Sequence, residues 1–90
     1  MTDDAGPTYK VEFTVQAAKE LGKLDGSVRP RIVHAIAALA DDPRPAGCKA
    51  LQGRDGFRVR IGNYRIIYEV DDGVLTVLVI TIGHRSSVYR

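Results

Sequence analysis

Cysteine is nearly absent from this sequence: Cys48 is its single representative. One thiol cannot form an internal disulfide, and it cannot supply a cysteine-cluster metal site. Cys48 lies in the loop-like stretch PRPAGCKA, where no neighbouring base is evident that would activate a thiol as a nucleophile. We therefore expect Cys48 to be chemically idle, and we expect no metal site and no cofactor.

Long apolar segments are also missing. The longest run, VLTVLVITI, is too short and too rich in β-branched residues to cross a bilayer as a helix. The N-terminus, MTDDAGPTYK, has no basic start followed by an apolar stretch, so it does not resemble a secretory signal. Internal repeats and low-complexity segments are absent. These features predict a cytoplasmic protein that makes no use of a membrane.

The composition is that of one ordinary folded domain with an uneven charge distribution. Apolar residues make up 44% of the 90 residues and charged residues 27%, which allows one modest hydrophobic core. Residues 1–45 carry six Lys/Arg and seven Asp/Glu, whereas residues 46–90 carry seven and four, so the halves have net charges of −1 and +3. Six of the seven basic residues in the second half are arginines, whose planar guanidinium binds phosphate oxygens bidentately.

The first half of the chain predicts a flexible tail, a strand and two helices. Residues 1–8 are polar and acidic and form the expected tail, which leaves residues 9–90 as a single domain. The segment YKVEFTV alternates apolar and polar residues like a half-buried strand. TVQAAKELGKL and VRPRIVHAIAALADD have helical spacing, and Ser27 is the expected N-cap of the second helix. The expected apolar stripe of that helix comprises Val28, Ile32, Val33, Ile36, Leu39 and Ala40.

The second half predicts three strands that the helices cover. GFRVRI and YRIIYEV alternate around the two-residue turn Gly62–Asn63, and VLTVLVITI reads as a central strand because it is apolar on both faces. The predicted fold is therefore α+β with the order β-α-α-β-β-β. Its sheet is largely antiparallel, with a helical hairpin packed on one face.

The hairpin sequence FRVRIGNYRIIYEV places like charges opposite each other. If Gly62 and Asn63 form the turn, then Arg60 faces Arg65, and Arg58 shares their face with Ile67. Directly opposed like charges cost about 0.2–1 kcal/mol in a sheet. Either the guanidinium groups splay into water or pair with Glu69 or Asp55, or they form an anion site for a phosphodiester backbone. Leu78 and Ile80 of the last strand are expected on the same face.

The C-terminal segment GHRSSVYR supplies groups that can complete a ribonuclease site. RNA carries its own nucleophile, the 2′-hydroxyl, so the protein must only orient it, move protons and stabilise charge on phosphorus. Arginine serves the charge role but cannot act as a base near neutral pH. His84 and Tyr89 are the candidates for proton transfer.

The motifs K.L.G..GFRVRIGNYRIIYEV and GHR..VY, with the order of elements, resemble the RelE branch of the RelE/ParE toxin superfamily from Tyr9 onward. The resemblance implies a toxin of a type II toxin–antitoxin pair that enters the ribosomal A site. There it would cleave mRNA without a metal ion, giving a 2′,3′-cyclic phosphate and a 5′-hydroxyl. It also implies a RelB-like antitoxin as partner, and toxin–antitoxin complexes that form higher oligomers on operator DNA.

The resemblance assigns roles by position. Lys49, Arg58 and Arg60 match basic residues that bind RNA phosphates, and Arg65 matches an arginine that stabilises the phosphate in the transition state. Arg85 matches an arginine with a leaving-group or phosphate role, and Tyr89 a tyrosine that stacks on the base or transfers a proton. Relatives often have lysines where this chain has Arg58 and Arg60, so the general base must be Tyr89 or His84. The alternative is a ParE-like inhibitor of DNA gyrase without ribonuclease activity.

Overall fold

The computed structural model describes residues 8–84, in which two helices cover one face of a five-stranded sheet. In chain order the elements are β1 (Lys10–Phe13), α1 (Val15–Gly22), α2 (Arg29–Asp41), β2 (Lys49–Ala50), β3 (Phe57–Ile61), β4 (Tyr64–Asp71) and β5 (Thr76–His84). The expected α+β fold is confirmed, with one addition: the two-residue strand β2 lies in a stretch that the sequence had suggested was a loop. Of the tail expected over residues 1–8, only Thr8 falls within the described part.

The sheet has the strand order β1-β5-β4-β3-β2. β1 pairs with β5 in parallel, and the remaining neighbours pair antiparallel, as expected for a largely antiparallel sheet. The β4–β5 ladder contains one irregularity, because Tyr68 opposes Val79 whereas the preceding Ile67 opposes Thr81. Ile80 is therefore an extra residue on β5, a β-bulge that reverses the in-and-out alternation of every residue after it.

The core lies between the sheet and the two helices. Its buried side chains are Ala17, Leu24, Ile32, Ile36 and Leu39 from the helical side and Ile66, Tyr68, Val77, Val79 and Ile82 from the sheet. Tyr68 is fully buried, and its hydroxyl donates a hydrogen bond of 2.8 Å to the Pro43 carbonyl. Burial raises the pKa of the Tyr68 phenol above its ordinary value, so this group stays neutral and satisfied inside the core.

Three details of the helices differ from the sequence expectations. Helix α2 begins at Arg29 after Val28, and the Ser27 hydroxyl donates to Asp25 (2.7 Å) and caps no helix, so the expected N-cap was wrong. Val33 is 46% exposed because it lies about 100° around the helix from the buried Ile32. Val15 is 73% exposed because the chain has already turned from strand to helix there. Among residues 8–84, no helix has the length and apolar character needed to cross a membrane.

Helix α1 covers the end of β5 that β1 does not reach. β1 pairs with residues 76–79, so within residues 8–84 no strand pairs with this edge of residues 80–84. The Thr14 hydroxyl, which also caps α1 by accepting from the Ala17 amide, donates to the Ile80 carbonyl (2.7 Å). The Glu20 carboxylate accepts from the Ile82 amide (2.7 Å), so this helix satisfies backbone groups that would otherwise lack partners.

Candidate phosphate-binding face

Four basic side chains stand in two adjacent rows on the sheet face opposite the helices, which we call the outer face. In the first row, Lys49 of β2 pairs with Arg58 of β3, which in turn pairs with Ile67 of β4. In the second row, Arg60 pairs with Arg65. Since directly paired residues share a face, the structure brings together the side chains of Lys49, Arg58, Arg60 and Arg65, hereafter the basic rows.

The hairpin turn fixes the register that opposes the two arginines. Gly62 has a φ of +61°, whereas Asn63 does not have a positive φ, the pattern of a type II′ turn with glycine at its first central position. A Cβ atom at Gly62 would lie 3.2 Å from Nη2 of Arg31, a flexible side-chain end that can move aside, so the positive φ is what favours glycine here. Ile61 consequently pairs with Tyr64, and the predicted pairing of Arg60 with Arg65 is confirmed.

The members of the basic rows differ in exposure. Arg60 is exposed, whereas Arg58 and Arg65 are half-buried and the Nε atom of Arg65 is shielded from water. Ile67, which ends the first row on β4, is only 5% exposed. Gly83 pairs with Arg65 on β5 and contributes no side chain to the second row.

No carboxylate among residues 8–84 neutralises the charge of Arg60. Among residues 8–84, the ion pairs join Lys10 to Glu12 (3.8 Å) and Arg44 to Asp72 (2.9 Å). Neither Glu69 nor Asp55 reaches Arg60, so the alternative in which these carboxylates neutralise this arginine is not realised. Within that part of the chain no carboxylate forms an ion pair with Arg60, which pairs directly with Arg65 across the hairpin.

The far end of the outer face has the opposite charge. A cavity of about 880 Å³ opens there, lined in part by the carboxylates of Glu12, Asp55, Glu69, Asp71 and Asp72 and by the basic residues Lys10 and Arg54. Glu69 and Asp71 continue the same face of β4 beyond Arg65 and Ile67. The outer face is thus basic beside the hairpin turn and acidic at the other end.

His84, in contrast, lies on the helical side of the sheet. It pairs with Tyr64, and its ring packs edge-on against the Tyr64 ring with centroids 5.7 Å apart. Counting by twos along β5 from Leu78 places His84 with the arginines, but the bulge at Ile80 shifts the alternation by one residue. Leu78 does pair with Glu69 on the outer face as expected, while Ile80 is the bulged residue. Arg85 and Tyr89 lie outside the described residues.

No pattern in the sequence places Lys49 beside the arginines. β2 is too short to show an alternating pattern, and Lys49 joins the basic rows only because this strand pairs with β3. The feature of the sequence that could have indicated β2 is the glycine-rich stretch QGRDG, which forms the turn between β2 and β3. In this turn Gly56 has a φ of +122°, and the Leu51 amide donates to the Gly56 carbonyl (3.0 Å). A Cβ atom at Gly56 would also come within 3.0 Å of the Tyr68 carbonyl oxygen, so this position requires glycine.

Comparisons with known proteins agree with this geometry. A family model described as the ParE toxin of type II toxin–antitoxin system, parDE, matches residues 11–89. Toxin RelG of Mycobacterium tuberculosis is 33% identical over 84 residues, which cover 91% of this chain and 97% of that protein. The mRNA interferase toxin RelE of Escherichia coli is 31% identical over 85 residues, with 90% of each chain covered.

A solved structure shows the same fold. The toxin–antitoxin complex RelBE2 of Mycobacterium tuberculosis contains a chain that superposes with a TM-score of 0.74 at 33% sequence identity, covering 87% of this chain and 99% of that one. The similarity therefore includes both the sheet that carries the basic rows and the helices behind it.

Proposed function

Because the chain belongs to the ParE toxin family of type II toxin–antitoxin systems and is RelE-like within it, we propose that it is an endoribonuclease that cleaves mRNA in the ribosomal A site. The relative from Escherichia coli carries the name mRNA interferase, which supports RNA as the substrate class. The observation that carries the proposal is the pair of basic rows, with Arg60 directly opposite Arg65 on an otherwise divided outer face.

The basic rows supply two kinds of contact with RNA. Lys49, Arg58 and Arg60 neutralise phosphates on either side of the scissile bond and hold the strand in register. Arg58 and Arg65 are both half-buried, but Arg65 also has its Nε atom shielded from water, so its charge acts in a less polar environment than that of the exposed Arg60. Arg65 is therefore the guanidinium placed to stabilise the extra negative charge that develops on the phosphate during attack.

The proposed reaction uses the nucleophile of the RNA itself and calls on no metal or cofactor. The 2′-oxygen forms a bond to phosphorus as the bond from phosphorus to the 5′-oxygen breaks. A base takes the proton of the 2′-hydroxyl, and the departing 5′-oxygen receives a proton. The products are a 2′,3′-cyclic phosphate and a free 5′-hydroxyl.

Proton transfer falls to Tyr89 in this proposal, with Arg85 beside the leaving oxygen. Both assignments rest on the C-terminal motif GHR..VY. His84, the other candidate base, has its ring against Tyr64 on the helical side, away from the basic rows. Tyr89 is the proposed base because a phenol can exchange a proton, which the guanidinium groups of the basic rows cannot do near neutral pH.

The ribosome and a cognate antitoxin are the proposed partners. The Mycobacterium tuberculosis structure is a toxin–antitoxin complex, which supports a RelB-like antitoxin for this chain. An apolar groove of about 440 Å³ lies between α2 and the hairpin, lined by Pro30, Arg31, His34, Ala35 and Ile61, and fits one amphipathic element of such a partner. Bound antitoxin would keep the toxin off the ribosome, and its complexes would form higher oligomers on operator DNA.

Inhibition of DNA gyrase is the second candidate function. It is favoured by the name of the family model, which refers to ParE. A gyrase inhibitor has no need for Arg60 directly opposite Arg65, or for an acidic boundary beside them. Ribonuclease activity accounts for both features.

The deciding experiment adds the purified protein to a translation extract and maps the ends of a defined mRNA. We expect cuts at codon-related positions on ribosome-bound mRNA, with cyclic phosphate ends and no cuts on free mRNA. Replacement of Lys19, an exposed residue on the helical side, by alanine is the control, since it removes one positive charge away from the outer face. Intact mRNA together with altered DNA supercoiling in cells would support the gyrase candidate instead.

A further inference from the structure

The carboxylate of Glu20 on α1 holds the last residues of β5 through two adjacent groups. Oε1 accepts from the Ile82 amide (2.7 Å) and from the Thr81 hydroxyl (2.8 Å). Oε2 accepts from the side-chain amide of Gln16 (3.1 Å), which also donates to Thr81 (3.3 Å). One helix thus contributes a connected set of hydrogen bonds to two consecutive residues of the strand.

These hydrogen bonds hold residues 81 and 82 of β5, next to Gly83, which pairs with Arg65 of the candidate site. On one side, Gly83 pairs with Arg65 and Ile82 with Ile66. On the other side β1 has already ended, and the bulge at Ile80 has just interrupted the regular ladder. Thr14 and Glu20 therefore supply the hydrogen bonds at this edge that a neighbouring strand would otherwise provide.

We infer that Glu20 is a positioning residue for RNA cleavage, which acts by fixing residues 81–84 of β5 against Arg65. The inference rests on the proposed function, because it assigns Glu20 a part in the same reaction. Arg85 follows directly after β5 in the sequence, so the position of the strand end also sets where the C-terminal motif begins. Glu20 does not touch the substrate in this scheme.

The chemistry of the contact explains why an acceptor is needed at this position. The Ile82 amide is partly buried, so leaving it without an acceptor would cost free energy. The strand end would then move away from β4 so that water could bind this amide. Glutamine retains an acceptor oxygen of the same reach, whereas alanine has none. The pair of substitutions therefore separates loss of the hydrogen bond from loss of the charge.

The test compares Glu20→Ala and Glu20→Gln with Asp41→Asn, which removes a carboxylate from the exposed end of α2. In Glu20→Ala we expect faster hydrogen exchange of the Ile82 amide and a fall in kcat of roughly 10- to 100-fold with KM nearly unchanged, as for a catalytic group displaced by about 1 Å. Glu20→Gln should restore most of kcat. Asp41→Asn should match the parent protein in both measurements.

Two results would overturn the inference. In the first, Glu20→Ala exchanges Ile82 faster but retains its kcat, so the strand end need not be held. In the second, kcat falls only in proportion to the fraction of unfolded protein, measured by denaturant titration, so the role is merely structural. A parent protein that leaves ribosome-bound mRNA intact would instead overturn the proposed function, and the exchange of Ile82 would still report whether Glu20 holds the strand.

Discussion

Arg60 and Arg65 are direct partners across the antiparallel β3–β4 hairpin, and both project from the face opposite the helices. The register that opposes them follows from a two-residue turn in which Gly62 adopts a φ of +61°. Burial of Ile66 and Tyr68 on the other face keeps the strand from slipping by one residue. The core therefore fixes the register that places Arg60 opposite Arg65.

Replacing Arg60 by glutamine should separate stability from binding. The variant loses a like-charge contact, so we expect the free energy of unfolding to rise by about 0.2–1 kcal/mol. Its affinity for single-stranded RNA should fall, and the slope of log Kd against log salt should decrease by about 0.7 for one lost phosphate contact. Denaturant titration and salt-dependent binding assays measure the two effects, and a variant that is less stable yet binds normally would contradict this prediction.

Replacing Arg65 by alanine should reduce cleavage far more than binding. Loss of one donor that stabilises transition-state charge typically slows a reaction by about 10²–10³-fold. Single-turnover cleavage of mRNA on stalled ribosomes gives the rate directly. Lys19→Ala, which removes a charge from the helical side, should cleave at the parent rate, and an unchanged rate in Arg65→Ala would remove this residue from the site.

The part of the fold that could be predicted from sequence is the part governed by local rules. The hairpin register needed only the turn Gly62–Asn63 and the two-residue period of strands. The pairs Arg58–Ile67 and Arg60–Arg65 could both be aligned from it. Helix α1 could be placed from its spacing, and its N-cap Thr14 follows the usual preference for threonine.

The features that sequence patterns did not reveal depend on contacts between distant segments. β2 exists because residues 49–50 pair with β3, and no two-residue stretch can show a period. His84 was expected in the segment beyond the last strand, whereas β5 extends to His84 and the bulge at Ile80 puts this residue on the helical side. Glu20 lies among the polar residues of an amphipathic helix, where a carboxylate is normally solvated, and its bond to Ile82 spans 62 positions in the sequence.

Proton transfer should depend on Tyr89 and hardly on His84. The His84 ring contacts Tyr64 on the helical side, so His84→Ala should lower kcat by no more than about twofold to threefold. Tyr89→Phe removes the phenol while keeping the ring, and should lower kcat by about 10²–10⁴-fold if the phenol moves the proton. Single-turnover cleavage rates of the two variants distinguish the residues, since a larger loss in His84→Ala than in Tyr89→Phe would assign the role to His84.

Neutralising the acidic end of the outer face should strengthen binding to RNA. It should also leave the position of the RNA on this face less sharply defined. Glu69 lies on the same face of β4 as Arg65 and lines the acidic cavity, so Glu69→Gln removes a repulsive charge near the RNA path. We expect affinity for single-stranded RNA to rise by roughly twofold to fivefold at low salt, and the gain to vanish near 1 M salt, where the screening length is about 3 Å. Asp41→Asn, with the same charge change at the end of α2, should leave affinity unaltered, and equal gains in both variants would reduce the effect to net charge.

Stability in acid should depend on Asp72, which joins three parts of the chain. Its carboxylate accepts from Arg44 (2.9 and 3.3 Å) and from the Tyr9 hydroxyl (2.6 Å). The Arg44 guanidinium and the Tyr9 hydroxyl hold the pKa of Asp72 below its ordinary value, so the ionised form is favoured in the folded state. The contribution of Asp72 is therefore complete above the unfolded pKa of about 3.9 and is lost as the pH falls through the lower folded value.

Asp72→Asn should accordingly show a nearly constant deficit in the free energy of unfolding from about pH 5 to 8, and the deficit should shrink below about pH 4.

The hydrogen bond to Asp72 also raises the pKa of Tyr9, so the contribution of this neutral phenol persists below the unfolded pKa of about 10 and disappears as the pH rises through the folded value. Tyr9→Phe should therefore converge with the parent protein only in alkali. Urea titrations across this range measure both curves, and parallel curves for Asp72→Asn and the parent protein between pH 3 and 7 would show that the carboxylate contributes nothing through its charge.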